Sequence, residues 1–187
     1  VYVMWRQGLN IHSLDQDSIG LGLSNKISNM ILRTETYKRA ASGGLIISES
    51  ISPNPRTIII TSSTVYKGIV PQIVESFDSS IDKLTLSYNS GTNKLYSQNL
   101  VYNNTQYDNG TSLVTIPNNR WATRWFYRSI GDIKETFYVL GTGFYNNAAE
   151  ASLEKERGDL SVILRNHCIL VGRAIIQHNA INGVIES

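Results

Sequence analysis

The sequence predicts a mainly β fold: an antiparallel β-sandwich or barrel-like domain with one short helix. Apolar and aromatic residues recur in short strand-like runs, and turn-forming residues separate these runs. The densest runs lie between residues 118 and 177, where we expect the best-defined core. A short segment rich in alanine and glutamate, after Asn147, favours the helix.

Composition limits the class of protein without identifying a partner. The 187 residues include 17 basic and 15 acidic side chains, and 17% of residues are charged. This balance gives no long-range field toward nucleic acid or a membrane surface, so we expect neither nucleic-acid binding nor membrane insertion. Low charge with abundant Ser, Thr, Asn, Tyr and Gly is typical of an extracellular or virion β-protein.

In the first half of the chain, glycine and proline separate the predicted strands. Residues 24–41 can be drawn as a helix or a strand, and the β-branched and aromatic residues favour the strand. After the break at residues 42–44 we predict strands at 45–50 and 56–61. Three consecutive isoleucines in the second strand predict burial on both faces or a contact between subunits.

A β-hairpin is the plainest prediction in the middle of the chain. Residues 83–88 and 94–102 flank Asn89-Ser90-Gly91-Thr92-Asn93, a run of turn formers. The next segment, residues 102–110, reads as a polar loop. Its Asn109-Gly110 pair suits the positive φ angles of a tight turn.

The last third of the chain predicts three long strands. Residues 120–129 form a strand, Gly131 and Asp132 a turn, and residues 134–140 the returning strand. Residues 167–177 form the third strand, with Ile169, Val171 and Ile175 on one face around Arg173.

The one predicted helix begins at Asn147. This residue is a favourable N-cap, and Glu150 follows it in the register of a capping box. Gly158 is placed to end a helix of about ten residues.

The sequence contains few candidates for catalysis or metal binding. Cys168 lies in an apolar run and is interpreted as a small buried hydrophobe, and its neighbour His167 points to the opposite face of a strand. His12, His167 and His178 lack the spacing of a zinc site. We predict no catalytic residues, no cofactor and no metal site. One alternative is a metal held by His178 from each chain on the axis of a trimer.

Two further motifs have ordinary interpretations. Residues 157–159 spell Arg-Gly-Asp, an integrin-type tripeptide that we interpret as a helix end and a turn. Asp78 with Asp82, or Asp132 with Glu135, could form the carboxyl pair of a carbohydrate-active enzyme, but all four lie in turn-like polar segments.

Surface recognition is the remaining kind of function. The aromatic residues that could supply flat platforms for a ligand are Trp121, Trp125, Phe126, Tyr127, Tyr138, Phe144 and Tyr145. Strand alternation sends about half of them into the core. Loop side chains are exposed more often than strand side chains. The predicted receptor-binding residues are therefore those of the polar loop: Tyr102, Asn104, Tyr107 and Asp108.

Five stretches of the sequence, in this order, resemble the C-terminal receptor-binding regions of viral fibre proteins. They are residues 41–50 (ASGGLIISES), 65–68 (VYKG), 118–121 (NNRW), 125–128 (WFYR) and 169–176 (ILVGRAII). The family is chiefly that of phage tail fibres and similar attachment proteins of large DNA viruses. The resemblance extends over residues 32–177.

The resemblance implies a non-enzymatic, homotrimeric tip at the end of a fibre, located on the virion. Residues 1–40 are then the lead-in to a fibre shaft earlier in the same polypeptide, and residues 41–187 the β-rich tip domain. The implied partner is a glycan or protein receptor on the host surface. The alternative is a structural virion protein, such as a capsid decoration or baseplate component, that docks another viral protein.

Overall fold

In the computed structural model the described residues are 38–39, 44–50, 55–67, 70–130 and 134–187. The chain divides into two compact units, residues 1–37 with 66–70 and residues 38–65 with 71–187. Only residues 66, 67 and 70 of the first unit are described. The predictions for the lead-in up to residue 37, for His12 and for the turn at Gly131-Asp132 lie outside the described residues.

The described residues are mainly in strands, as the sequence predicted. The strands are β1 (Lys38–Arg39), β2 (Ile47–Ser50), β3 (Thr57–Ile60), β4 (Ser63–Lys67), β5 (Val70–Val74), β6 (Phe77–Asp78), β7 (Leu84–Ser90), β8 (Asn93–Asn99), β9 (Gln106–Asp108), β10 (Leu113–Thr115), β11 (Trp121–Ser129), β12 (Thr136–Leu140), β13 (Cys168–Gln177) and β14 (Val184–Glu186). Two short helices accompany them, α1 (Ala148–Ala151) and α2 (Val162–His167). Neither described helix is long and apolar enough to cross a membrane.

A six-stranded sheet forms the centre of the larger unit. Its order is β14-β13-β11-β12-β7-β8, and all neighbours are antiparallel except β12 and β7, which are parallel. Smaller sheets have the orders β1-β4-β5, β2-β3-β6 and β10-β9. None of these described sheets closes on itself, so the fold is mainly β with antiparallel sheets and one mixed sheet, and the barrel prediction is wrong.

The predicted hairpin is confirmed. Strands β7 and β8 pair from Leu84 opposite Asn99 to Ser90 opposite Asn93, which leaves a two-residue turn. Gly91 in this turn has a φ of +63°, a conformation that glycine adopts without strain. The strands reach closer to the turn than the sequence predicted.

The three long strands of the last third are also confirmed. Strand β11 lies between β12 and β13 and pairs with both in an antiparallel arrangement. A bulge shifts the β11–β13 register, so that Phe126 faces Gly172 while Tyr127 faces Leu170. This extra residue interrupts the strict alternation that the sequence predicted around Arg173.

The two faces of β11 bury different clusters. On one face Trp125 and Tyr127 pack with Phe137, Val139 and Leu164, and the last of these comes from α2. Helix α2 therefore covers this face of the central sheet.

On the other face of β11, Phe126 stacks on Tyr138 with a centroid distance of 5.8 Å. Arg128 lies over the ring of Phe77 from β6. A Cβ added at Gly172 would lie 2.7 Å from Cγ2 of Ile47 in β2. The small sheet β2-β3-β6 therefore packs against this face.

The three isoleucines of β3 do not have the same environment. Ile58 and Ile60 are wholly buried, whereas Ile59 is 37% exposed. The prediction of burial on both faces is wrong, because β3 turns one face to the core and the other outward.

The predicted helix start is confirmed, but its length is wrong. Oδ1 of Asn147 accepts a hydrogen bond from the Glu150 amide at 2.9 Å, and the Glu150 carboxylate accepts from Nδ2 of Asn147 at 2.8 Å. Helix α1 nevertheless ends at Ala151. Glu154 and Arg157, which would have continued it, are buried and bonded to other segments.

Helix α2 was not predicted from the sequence. Its N-cap is Ser161, whose hydroxyl accepts a hydrogen bond from the Leu164 amide at 3.4 Å. The six-residue helix carries exposed Val162 and Ile163, so its sequence does not show the apolar periodicity of a longer amphipathic helix.

Candidate functional site

The first residue of the predicted recognition loop, Tyr102, lies in the protein interior. Tyr102 is wholly buried, and its ring meets that of Phe126 edge to face at 5.6 Å. Its hydroxyl donates to the carboxylate of Glu49, which also accepts from the Gly183 amide at 2.8 Å. Burial raises the pKa of Tyr102, and the bond to Glu49 raises it further. The predicted exposure of Tyr102 is wrong, because its ring joins the core and its hydroxyl has a partner there.

A buried arginine fixes the next part of the loop. Arg124 is 0% exposed and donates to the carbonyl oxygens of Asn103 at 2.6 Å, Gln106 at 2.8 Å and Thr123 at 2.9 Å. Burial lowers its pKa to about 10. Asn104 is half-buried, and its amide group donates to the Ala180 carbonyl at 2.8 Å. The loop is thus bonded to β11 and to the segment before β14.

Asp108, the last of the four predicted residues, is also buried. It is 1% exposed and accepts hydrogen bonds from the amides of Asn89 at 2.8 Å and Gly110 at 2.9 Å. Nη1 of Arg157 lies 3.2 Å from its carboxylate and donates to the Leu140 carbonyl. A carboxylate with this many donors is stable in the interior, so the predicted exposure of Asp108 is wrong.

The arginine and the aspartate of the Arg-Gly-Asp tripeptide form an ion pair with each other. Arg157 is 6% exposed and donates from Nε and Nη2 to the two carboxylate oxygens of Asp159, at 2.7 and 2.6 Å. Asn89 and Lys94 donate to the same carboxylate, at 2.9 and 3.0 Å. The hydrogen bond from Arg157 is the main cause that holds the pKa of Asp159 well below its ordinary value. Arg157 is therefore engaged within the chain.

Arg124, Asp108, Arg157 and Asp159 form what we call the polar framework. Four aromatic side chains beside it remain at least partly exposed. Tyr107 in β9 meets Phe144 edge to face at 5.6 Å, and Phe144 is 41% exposed. Tyr145, the next residue, forms an isolated β-bridge with Trp121, with backbone hydrogen bonds of 2.8 and 2.9 Å. The rings of Tyr107 and Phe144 are in contact, whereas Trp121 and Tyr145 are joined through their backbones; we call these four residues the aromatic patch.

The backbone around the aromatic patch is well connected. The Asp108 amide donates to the Gly141 carbonyl at 3.0 Å, and Tyr107 pairs with Val114 in the β9–β10 ladder. Strand β9 lies within residues 102–110, which the sequence predicted as a loop, and β10 follows that segment. The segments that carry the aromatic patch are thus joined by backbone hydrogen bonds to one another and to β11.

The structure separates the predicted aromatic residues into two groups. Trp125, Phe126, Tyr127 and Tyr138 are buried, whereas Trp121, Phe144 and Tyr145 are at least partly exposed. Of the four predicted loop residues, only Tyr107 lies in the aromatic patch. Asn104 faces the segment before β14, and Tyr102 and Asp108 support the loop from inside.

The structure shows the surroundings of the single cysteine and of the metal-binding residue types in its described part. Cys168 is half-buried against the core cluster of Trp125 and Tyr127, and burial raises its pKa to about 12. The thiol packs against the core as predicted, but it is half-buried and not fully buried. In the described part of the chain no group of three or more His, Cys, Asp or Glu side chains could hold a metal ion.

No protein-family model, no curated protein and no solved structure matches this chain. The resemblance to the tips of viral fibres therefore stays a prediction from the sequence. The structure itself shows a mainly β fold and an aromatic patch beside the polar framework.

Proposed function

We propose that this chain is a non-catalytic attachment domain of a virion fibre, which binds a glycan or protein receptor on the host surface. The observation that carries the proposal is the aromatic patch, in which partly exposed rings lie beside the polar framework. In the proposed assembly the domain is the tip of a homotrimer, and a fibre shaft earlier in the polypeptide connects it to the virion.

A fixed aromatic surface suits the binding of sugars or of apolar side chains. The faces and edges of the rings provide apolar contact, and their polar neighbours provide hydrogen bonds that orient a ligand. Thr142, Asn146 and Asn147 are exposed polar residues in the same segment as Phe144. Because the backbone here is already ordered by ladders and buried side chains, binding loses little conformational entropy.

The four residues of the polar loop take different parts in this proposal. Tyr107 contacts the receptor directly, and Asn104 lies at the margin of the loop. Tyr102 and Asp108 hold the loop in place from the interior, since both side chains are buried.

A second candidate is a structural virion protein that docks another viral protein, and strand β8 favours it. This seven-residue strand is at the edge of the central sheet, and its Leu95 and Tyr96 are 42% and 44% exposed. A sheet edge with exposed apolar side chains can pair with a strand of a partner.

Three substitutions, two in the aromatic patch and one on β8, distinguish these candidates. The labelled full chain is tested on a glycan array and on host cells, as the wild type and as Phe144→Ala, Tyr107→Ala and Tyr96→Ala. If the aromatic patch binds the receptor, loss of either patch ring weakens binding about tenfold or more, as for aromatic hot spots. Tyr96→Ala leaves that binding unchanged.

The opposite pattern supports the docking protein. In that case the wild type labels no cell and no glycan, and Tyr96→Ala abolishes capture of a purified virion protein. Unfolding curves of all three variants check that each remains folded.

The proposed trimer has its own test. Sedimentation equilibrium or light scattering of the purified chain is expected to give three times the chain mass. A stable monomer at micromolar concentration contradicts the homotrimer and leaves the receptor-binding test unaffected.

A further inference from the structure

Arg128 is a buried arginine with too few hydrogen-bond partners. It lies on β11 and is 3% exposed, and its Nε and Nη1 have no partner. Its third nitrogen, Nη2, donates to the Glu75 carbonyl at 3.4 Å, which is a long hydrogen bond. A guanidinium has five N–H donors, so most of those of Arg128 are unused.

This arrangement is unfavourable in the free protein. Burial without acceptors destabilises a cation, and this burial also lowers the pKa of Arg128. The ring of Phe77, 5.5 Å from the guanidinium carbon, stabilises the charge in part. A ring face accepts no strong hydrogen bond, so the in-plane donors still lack acceptors.

A small pocket lies beside Arg128. It is lined by Ile73, Val74, Glu75, Arg128, Ser129 and Lys134, and its volume is about 20 Å³. This is room for one or two groups of the size of a water molecule. The pocket therefore admits the end of a ligand and leaves the rest of the ligand outside.

The charges around the pocket favour an anion. Two cations, Arg128 and Lys134, line it together with one carboxylate, that of Glu75, so the lining itself carries a net charge of one positive unit. The Asp82 carboxylate, outside the lining, also acts on Arg128. Nζ of Lys134 lies 2.5 Å from the Glu75 carboxylate, and both side chains are mostly exposed. Lys134 and Glu75 are therefore free to reorient when an anion enters.

We propose that this pocket binds the carboxylate group of a small acidic ligand, with Arg128 as the main contact and Lys134 as the second. A singly charged, planar carboxylate matches both the net charge and the planar guanidinium. A phosphate is larger and carries more charge than the pocket balances. The remainder of the ligand lies against exposed Ile73.

This site is distinct from the aromatic patch. Trp121 of the patch begins β11 and Arg128 lies near its end, seven residues later, so their backbones are about 23 Å apart at the ordinary rise of a strand. The carboxylate site does not depend on the proposed receptor function, and either can fail alone.

The test titrates the full chain with sodium acetate and with glucuronate while chloride keeps the ionic strength constant. Glucose and inorganic phosphate are the comparison ligands. Both carboxylates are expected to shift the amide resonances of residues 128–129 and 134 in NMR spectra and to raise the melting temperature in a saturable manner. No saturable response to either carboxylate, or an equal response to glucose, overturns the proposal. A response to phosphate alone also overturns it.

Variants of exposed residues keep the test independent of folding. Lys134→Gln is expected to weaken carboxylate binding about fivefold, whereas Lys155→Gln, an exposed lysine outside the pocket, leaves it unchanged. Glu75→Gln is expected to tighten binding, because it removes the carboxylate that competes for the two cations. Arg128→Gln is expected to abolish the response. An unchanged affinity in both Lys134→Gln and Glu75→Gln contradicts the site.

Discussion

Arg124 and Arg128 lie four residues apart on the same face of β11, yet their surroundings differ. Both are buried, but Arg124 donates to three carbonyl oxygens at 2.6 to 2.9 Å, whereas Arg128 has one bond of 3.4 Å. Burial lowers the pKa of both guanidinium groups. Arg124 fixes the loop that follows Tyr102, whereas Arg128 lines a pocket and has N–H groups without acceptors.

The comparison shows that burial alone does not tell what a charged residue does. A buried cation with all its acceptors in the protein is structural, because removing it leaves those acceptors unsatisfied. A buried cation without acceptors is suited to binding an anion from solution, because the anion supplies the hydrogen-bond acceptors that the protein lacks. Substitutions at these positions should therefore differ in their effects on stability.

The largest effect is expected for Arg124→Met. The substitution leaves the carbonyl oxygens of Asn103, Gln106 and Thr123 without their buried donor, and we expect a loss of about 3–5 kcal/mol in the free energy of unfolding. Urea unfolding measures it. Arg124→Lys should not restore stability, because one ammonium group cannot reach three separate acceptors in place of the guanidinium fork. A loss below about 1 kcal/mol would show that the loop is held by other contacts.

An intermediate effect is expected for Asp159→Asn, which weakens the most exposed ion pair of the framework. Lys94 and Arg157 both contact Asp159, whose side chain is 47% exposed, so we expect a loss of about 1 kcal/mol at neutral pH. Because folding lowers the pKa of Asp159, its ionised form favours the folded state. This stabilisation is complete above the ordinary pKa of about 3.9 and is lost as the pH falls below it.

The wild type should therefore lose stability in acid more steeply than the variant. Thermal unfolding of both proteins between neutral pH and pH values of about 3 measures the difference in slope. Parallel curves would contradict the assignment of the lowered pKa to Asp159.

The smallest effect is expected for Arg128→Met. An apolar side chain of similar length removes the unfavourable burial of an unpaired cation but also removes its contact with Phe77. We expect the free energy of unfolding to stay within about 1 kcal/mol of the wild type. A loss as large as that of Arg124→Met would mean that Arg128 is structural as well, and the contrast between the two residues would fail.

Much of the central sheet could be predicted because the sequence patterns that specify its strands and turns are local. The hairpin depends on the turn formers around Gly91, and the long strands depend on runs of apolar and aromatic residues. The start of α1 could be predicted from Asn147 and Glu150. Its end could not, because Glu154 and Arg157 contact Thr142, Asp108 and Leu140, which the linear sequence does not place beside them.

The candidate site was harder to predict for the same reason. A polar loop with two tyrosines looks exposed, but the partner that buries Tyr102 is Glu49, and the partners that bury Asp108 are Asn89 and Arg157. The partly exposed position of Phe144 depends on where β9 packs. Of the four predicted loop residues, Tyr107 alone lies in the aromatic patch; its other members, Trp121, Phe144 and Tyr145, were among the aromatic residues that the sequence offered as platforms.

The parallel pairing of β12 with β7 also bears on how the protein folds. The β7–β8 hairpin joins neighbours in sequence, whereas the ladder from Thr136–Leu84 to Val139–Ser87 joins segments far apart in the chain. Closing so long a loop is slow, so we expect the hairpin to form early and β12 to add late. Substitutions at Val139 should then change mainly the unfolding rate, and those at Leu95 the folding rate, in stopped-flow experiments. In that order of events the inner edge of β7 is unpaired before β12 adds, so we expect wrong association with other strands to occur mainly at this step.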